Sequence, residues 1–330
     1  MQNSILFKAV IAFSACHESR TQRCDRYQEL GHVFHGACVR DLLKVLNDVH
    51  PNPDIQGDVQ GDYLSATCLL RSYEILNGDT RQQQHLLGAY SFASSSHIDT
   101  KIRGLAQSGA WNYLREEITM ALELRRAVRL GSEFDYSPSD DRPDDTWAHS
   151  ITYILARVIN FCFDTTVEMS SSERKGSWEY LSECVSDWRS NRPKSFNPFS
   201  AAPKPGNALP SIWLLQPWHV AGEQYLRVAE ILLALSSPNP NTSGFGVEGR
   251  EFNPPSIQHH VLEVCGLAFT NDNVAARVNA FGPLAFCGRY LVQAIHQEAL
   301  VSMLLDFSIS TGWPVQPIIE DLRRHWAGEE

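Results

Sequence analysis

Residues 104–130 read GLAQSGAWNYLREEITMALELRRAVRL. Coiled as a helix, they bring Trp111, Leu114, Ile118, Ala121 and Leu122 onto one stripe, because positions three and four apart share a face. Residues 146–164, TWAHSITYILARVINFCFD, repeat the pattern with Ile151, Ile154, Leu155, Val158 and Cys162. Stripes this long have to be covered, most simply by each other and by flanking helices. The fold class predicted is all-α.

Working outward, helical periodicity predicts further helices over residues 4–23, 26–49, 62–76, 81–95, 178–188, 213–235, 257–269 and 314–326. One more is predicted over 273–308, kinked at Gly282 and Pro283 because proline removes a helical hydrogen bond. Irregular surface connections are expected at about 191–210 and 236–256, where Pro, Asn, Ser and Gly accumulate. No strand pair, Gly-rich phosphate loop or repeat is evident. The expectation is a single compact domain of about ten helices spanning residues 1–330.

With 43% apolar and 20% charged residues the composition is that of a globular protein. A net charge of −10 opposes direct binding to nucleic acid, which needs cations to displace counterions from phosphates. The apolar run from Ile5 to Ala15 is interrupted by Lys8, and it falls short of the about 20 residues a membrane span requires. No basic stretch precedes it, so it reads as a core helix, with no membrane association and an intracellular location, nucleus or cytoplasm. The eight cysteines are widely spaced within apolar patterns, as reduced buried thiols are, and imply neither disulfides nor a metal site.

A string of short motifs runs through these helices: Val10-Ile-Ala-Phe-Ser-Ala15, Leu69-Leu-Arg-Ser-Tyr-Glu74, Tyr113-Leu-Arg-Glu-Glu-Ile-Thr-Met-Ala-Leu122, Trp147-Ala-His149 with Phe161-Cys-Phe163, His219-Val-Ala-Gly-Glu-Gln-Tyr225, Cys287-Gly-Arg-Tyr-Leu291 and Thr311-Gly-Trp-Pro314. In this order they resemble the helical region of fungal zinc-cluster transcription factors, the fungal-specific transcription factor domain of the second type. The resemblance implies an all-α effector and interaction region. Two departures stand out. Family regulators read DNA through a six-cysteine cluster with paired CxxC steps, and no two cysteines here stand three apart. His149 stands where the family has asparagine. The resemblance therefore leaves two alternatives: a fragment of a longer regulator, or a freestanding descendant without its DNA reader.

For chemistry, His149, Tyr153, Arg157 and Asn160 share one sector of the 146–164 helix, opposite its apolar stripe. An imidazole one turn from a phenol suits proton transfer or carbonyl binding; the competing and favoured reading is an ordinary solvated face. Were the sector covered, His149, Tyr153 and Arg115 are the candidate catalytic residues, and Trp111, Trp218, Arg157 and Asn160 the candidate ligand-binding ones. His219, Glu223, Arg227 and Glu230 form a second polar stripe, read as a solvated face with a structural role for His219. Arg115, Glu116 and Glu117 read as an ion-pairing surface. His17, His32, His35 and the His259-His260 pair have no zinc-finger spacing. Ser94, Ser95 and Ser96 with His97 and Asp99 have the residue types of a hydrolase triad but no nucleophile-elbow glycines.

Three functional readings follow. The first is a transcription-factor-like regulatory, effector-binding protein linked to secondary metabolism, without its own DNA contacts and with another regulator or itself as partner. The alternative is a cofactor-independent enzyme on this scaffold, a cyclase, isomerase or pericyclase acting on a small apolar metabolite in a helical pocket. The third is a non-functional gene fragment. No cofactor is called for by any of them.

Overall fold

The computed structural model describes residues 4–47, 57–78, 83–94, 99–131, 134, 143–201, 208–238 and 255–328. The chain is all-α. Its helices are α1 (Ser4–Gln22), α2 (Asp25–Asn47), α3 (Gly57–Leu76), α4 (Gln84–Ala93), α5 (Leu105–Leu124), α6 (Asp144–Phe163), α7 (Ser171–Asn191), α8 (Pro217–Leu235), α9 (Pro255–Thr270), α10 (Val274–Asn279), α11 (Phe281–Cys287), α12 (Ala294–Thr311) and α13 (Gln316–Ala327). Among the described residues no strand forms; Ser200 and Trp213 make an isolated antiparallel bridge. None of the described helices is long and apolar enough to cross a membrane.

The chain divides into two compact units. The first comprises Met1–Glu116, Arg129–Asp135 and Leu304–Pro317; the second comprises Glu117–Val128, Tyr136–Met303 and Ile318–Glu330.

In the first unit α1 packs on α2 and α3, and α3 packs on α4. Ile5 and Ala9 of α1, Cys38 and Leu42 of α2, and Ala66 and Leu70 of α3 close one apolar core. The start of α5 lies tight on α3. A Cβ on Gly61 would sit 2.6 Å from the Ala106 nitrogen, so the absent side chain sets the helix separation. Trp111 and Phe134 meet edge to face at 5.4 Å, and Tyr113 donates to the Arg129 carbonyl at 2.7 Å.

In the second unit α8 is the hub, packed on α6, α7, α9, α10 and α11. Its sequence explains the position: from His219 to Leu235 nearly every side chain is buried, including the polar His219, Glu223 and Gln224. Such a helix is buried all round.

Several helices end elsewhere than periodicity predicts. The helix expected over 104–130 stops at Leu124. Arg125 adopts a left-handed φ of 49°, and the Arg126 amide bonds back to the Ala121 carbonyl, a C-terminal motif usually closed by glycine. No breaker residue announces this end. It is fixed by side chains: Glu117, two turns back in the same helix, chelates Arg126, and Asn160 of α6 grips Val128. α3 begins at Gly57, inside the expected break. α7 begins at Ser171 rather than 178, behind a capping box in which Ser170 and Glu173 satisfy each other's backbone amides. α8 begins at Pro217, since Trp213 is engaged with Ser200, and proline suits a first helical turn. The helix expected over 273–308 is three helices, α10, α11 and α12, with Pro283 in the first turn of α11, where its missing amide costs least.

Candidate functional site

A groove of about 220 Å³ opens between α6, α7 and the connection joining them. Arg157, Asn160, Phe161 and Asp164 line it from α6 and its cap, Val167 and Met169 from the connection, and Ser177, Tyr180 and Leu181 from α7. α7 places its residues there because the Ser170–Glu173 box starts the helix early enough to lay its first three turns beside α6. Within the groove, the Arg157 guanidinium lies 5.1 Å from the centre of the Tyr180 ring and 5.9 Å from that of Tyr153, and it donates to the Tyr180 hydroxyl at 3.4 Å. Arg174 lies 4.8 Å over Phe161. Asp164 is committed to Thr166, accepting from its amide at 2.9 Å and its hydroxyl at 2.6 Å, and these bonds hold its carboxyl below the usual range.

Both polar edges of Asn160 are spent on Val128: its amide donates to the carbonyl at 3.2 Å and its oxygen accepts from the backbone N–H at 2.6 Å. It therefore fixes the segment after α5 while bounding the groove. Of the candidates read from sequence, His149 and Tyr153 lie half-buried on α6, and Trp218 stands 38% exposed at the start of α8. Trp111 and Arg115 belong to the first unit, the others to the second. Arg157 and Asn160 are the candidates that share the groove.

The α8 stripe departs from its reading as a solvated face. Glu223 is 2% exposed and holds two guanidiniums, Arg192 at 2.6 Å and Arg227 at 2.9 Å. Arg227 also meets Glu263 of α9 at 2.6 Å, and Glu230 meets Arg189 of α7 at 2.7 Å and His260 of α9 at 3.6 Å. At Glu263 burial is outweighed by His260 and Arg227, which hold the carboxyl at about 2; at Glu230 burial prevails and raises it. Burial of the stripe follows from α7 and α9 covering that side of α8, which a single-helix pattern does not reveal. His219 does have a structural contact, its Nε2 lying 2.9 Å from Asp144 in the first turn of α6. Likewise Glu117, expected at a surface, is fully buried against Arg126.

The first unit holds a cluster that sequence reasoning missed. The Tyr73 hydroxyl and His32 Nδ1 are 2.7 Å apart, and the His35 ring stacks on Tyr73 at 4.3 Å. The Nε2 atoms of His35 and His85 face each other at 3.3 Å. His85 also meets Glu74 at 3.5 Å; Arg71 links Glu74 and Glu116, each at 3.2 Å. Burial, then His35 and Arg71, push His85 down to about 4, and burial, then His32, lower His35. Burial raises Tyr73 to about 12. Two neutral imidazoles thus share one proton position. The only signal in the sequence was the i, i+3 pair His32 and His35; their partners come from 40 to 50 residues away.

Ser95, Ser96 and His97 lie outside the described residues, as does most of 236–256. Among the described residues, no group of three His, Cys, Asp or Glu side chains is placed to hold a metal ion. All eight cysteines are free.

Residues 1–115 match the family model described as the fungal specific transcription factor domain. The match takes in about a third of the chain, including the 10–15 and 69–74 motifs, and stops before α6. No curated protein and no solved structure matches the chain.

Proposed function

We propose that these 330 residues act as a fungal transcription-factor-like regulatory protein that responds to an effector and works through protein partners, in the nucleus or cytoplasm, rather than by touching DNA themselves. The observation that carries the reading is the match of residues 1–115 to the fungal specific transcription factor domain. The net charge of −10 and the absence of any CxxC pair in the sequence support indirect action, since an acidic balance opposes contact with phosphates and the zinc cluster is built from paired cysteines. Phe7 and Val10 of α1 and Val33, Leu43 and Leu46 of α2 stand exposed and offer apolar side chains to a partner.

Deleting the gene and profiling transcripts tests the reading. A coherent set of altered transcripts, secondary-metabolite genes among them, is expected, together with recovery of a DNA-binding regulator on the affinity-tagged chain. An unchanged transcriptome overturns it. The alternative, a cofactor-independent cyclase, isomerase or pericyclase, draws on the α6–α7 groove, which sets a guanidinium and a phenol beside apolar walls. Under that reading Arg157→Ala abolishes turnover with helicity unchanged.

A further inference from the structure

The groove between α6 and α7 combines features that a plain surface cleft does not need. The larger part of its accessible lining is apolar: Val167 and Met169 project from the connection, and the buried Phe161 and Leu181 lie beneath. At one side stands Arg157. Its Cζ lies over the rings of Tyr153 and Tyr180, and among the described residues no carboxylate lies within ion-pairing distance of it. Of its five N–H donors, the Tyr180 hydroxyl takes one, and that at 3.4 Å. Arg174, over Phe161, is likewise without a carboxylate partner among the described residues. The carboxylate that lines the groove, Asp164, takes both Thr166 hydrogen bonds on its Oδ1 and pairs with neither arginine. This contrasts with Arg189, Arg192 and Arg227, packed at the α7–α8 side, each of which meets a glutamate of α8.

We propose that this groove binds a small monocarboxylate with an apolar body. The carboxylate meets N–H donors of the Arg157 guanidinium that the Tyr180 hydroxyl leaves unengaged, and the body lies along Phe161, Val167, Met169 and Leu181. Cation–π contact with two tyrosines and the Tyr180 hydrogen bond restrain the guanidinium before the ligand arrives, so less freedom is lost on binding. A planar carboxylate matches the guanidinium fork with two parallel hydrogen bonds. A neutral analogue of the same shape leaves the guanidinium unanswered. The proposal rests on the regulatory reading only in calling the ligand an effector; the site itself stands on its geometry.

Calorimetric titration of the purified full chain with decanoate and with 1-naphthoate, against decanol and 1-naphthalenemethanol, tests it. At least one acid is expected to bind saturably, with its alcohol binding roughly ten- to a hundredfold more weakly, the factor expected for one charge-assisted hydrogen bond. Arg157→Gln removes that preference, and Val167→Glu, at a site 52% exposed, weakens the acid while far-UV circular dichroism stays unchanged. No saturable binding of either acid, equal binding of acid and alcohol, or unchanged affinity in Arg157→Gln overturns the proposal. These outcomes are read on purified protein, so they fail independently of the transcript profile that tests the regulatory role.

Discussion

In the first unit His35 and His85 face each other at 3.3 Å beside a tyrosine ring, whereas in the second His259 and His260 sit against Glu263 and Glu230, whose other oxygens hold arginines. The two clusters use the same kinds of side chain. They differ in which partner is free to change its charge. Around His85 the nearest carboxylate, Glu74, is already engaged by Arg71, so burial decides the outcome and the imidazole stays neutral. Around α8 the guanidiniums cannot give up a proton, so their carboxylates must remain charged to compensate them. A buried polar cluster thus takes its charge state from its least titratable member.

The strongest way to break the comparison is Glu223→Ala. It leaves Arg192 without its carboxylate and Arg227 with Glu263 alone, and should cost about 3 kcal/mol, measured by chemical denaturation. A loss below about 1 kcal/mol would mean that the α8 cluster is solvated and that its charges resemble surface pairs.

Acid is the next probe. The folded pKa of His85 lies near 4, below its ordinary 6.5, so the unfolded chain takes up the proton first. The stabilisation is present above pH 6.5 and fades as pH falls from there toward 4, for a total of about 3 kcal/mol. Glu263, held at about 2, contributes stability that is present above its ordinary 4.5 and fades toward 2. Hydrogen exchange, corrected for intrinsic rates, should therefore show α2, α3 and α4 losing protection between pH 6.5 and 4.5 while α9 keeps its own. Simultaneous loss would erase the distinction. His85→Leu should flatten the first transition and leave the second.

Neutral bonds calibrate the charged ones. Asn160→Ala leaves the Val128 amide and carbonyl without their partner and should cost roughly 2 kcal/mol. Its denaturation midpoint should shift less than that of Glu223→Ala. Smallest of all, Ser170→Ala removes the cap of α7 at about 1 kcal/mol, with fraying confined to its first turns by hydrogen exchange.

Helix content was legible because it rests on local periodicity: the stripes through Trp111 and Ile151 lie on real helices. The cap of α7 was legible too, as the Ser170-Ser-Ser-Glu173 string, though periodicity alone passed it over. What could not be read was whatever depends on a second helix. Arg-Arg-Ala-Val-Arg-Leu after Leu124 is good helical sequence, and what diverts it includes Asn160 of α6, which grips Val128. Glu223 looks like a solvent residue until α7 covers it. For the groove, Arg157 and Asn160 were readable as neighbours on α6, whereas Val167, Met169 and Tyr180 come from stretches with no motif of their own. The His35–His85 meeting has no sequence correlate beyond residue type.

The scattered thiols give the molecule a built-in record of its own opening. Burial raises Cys38 to about 11 and Cys68, Cys162 and Cys265 to about 12, with Cys16 and Cys287 also lifted. Alkylating agents attack the thiolate, so none of these sulfurs reacts until its surroundings part. Cys16, Cys38 and Cys68 lie in the first unit, and Cys162, Cys265 and Cys287 in the second. Timed iodoacetamide labelling followed by mass spectrometry thus dates the breathing of each half separately, with no engineered tag.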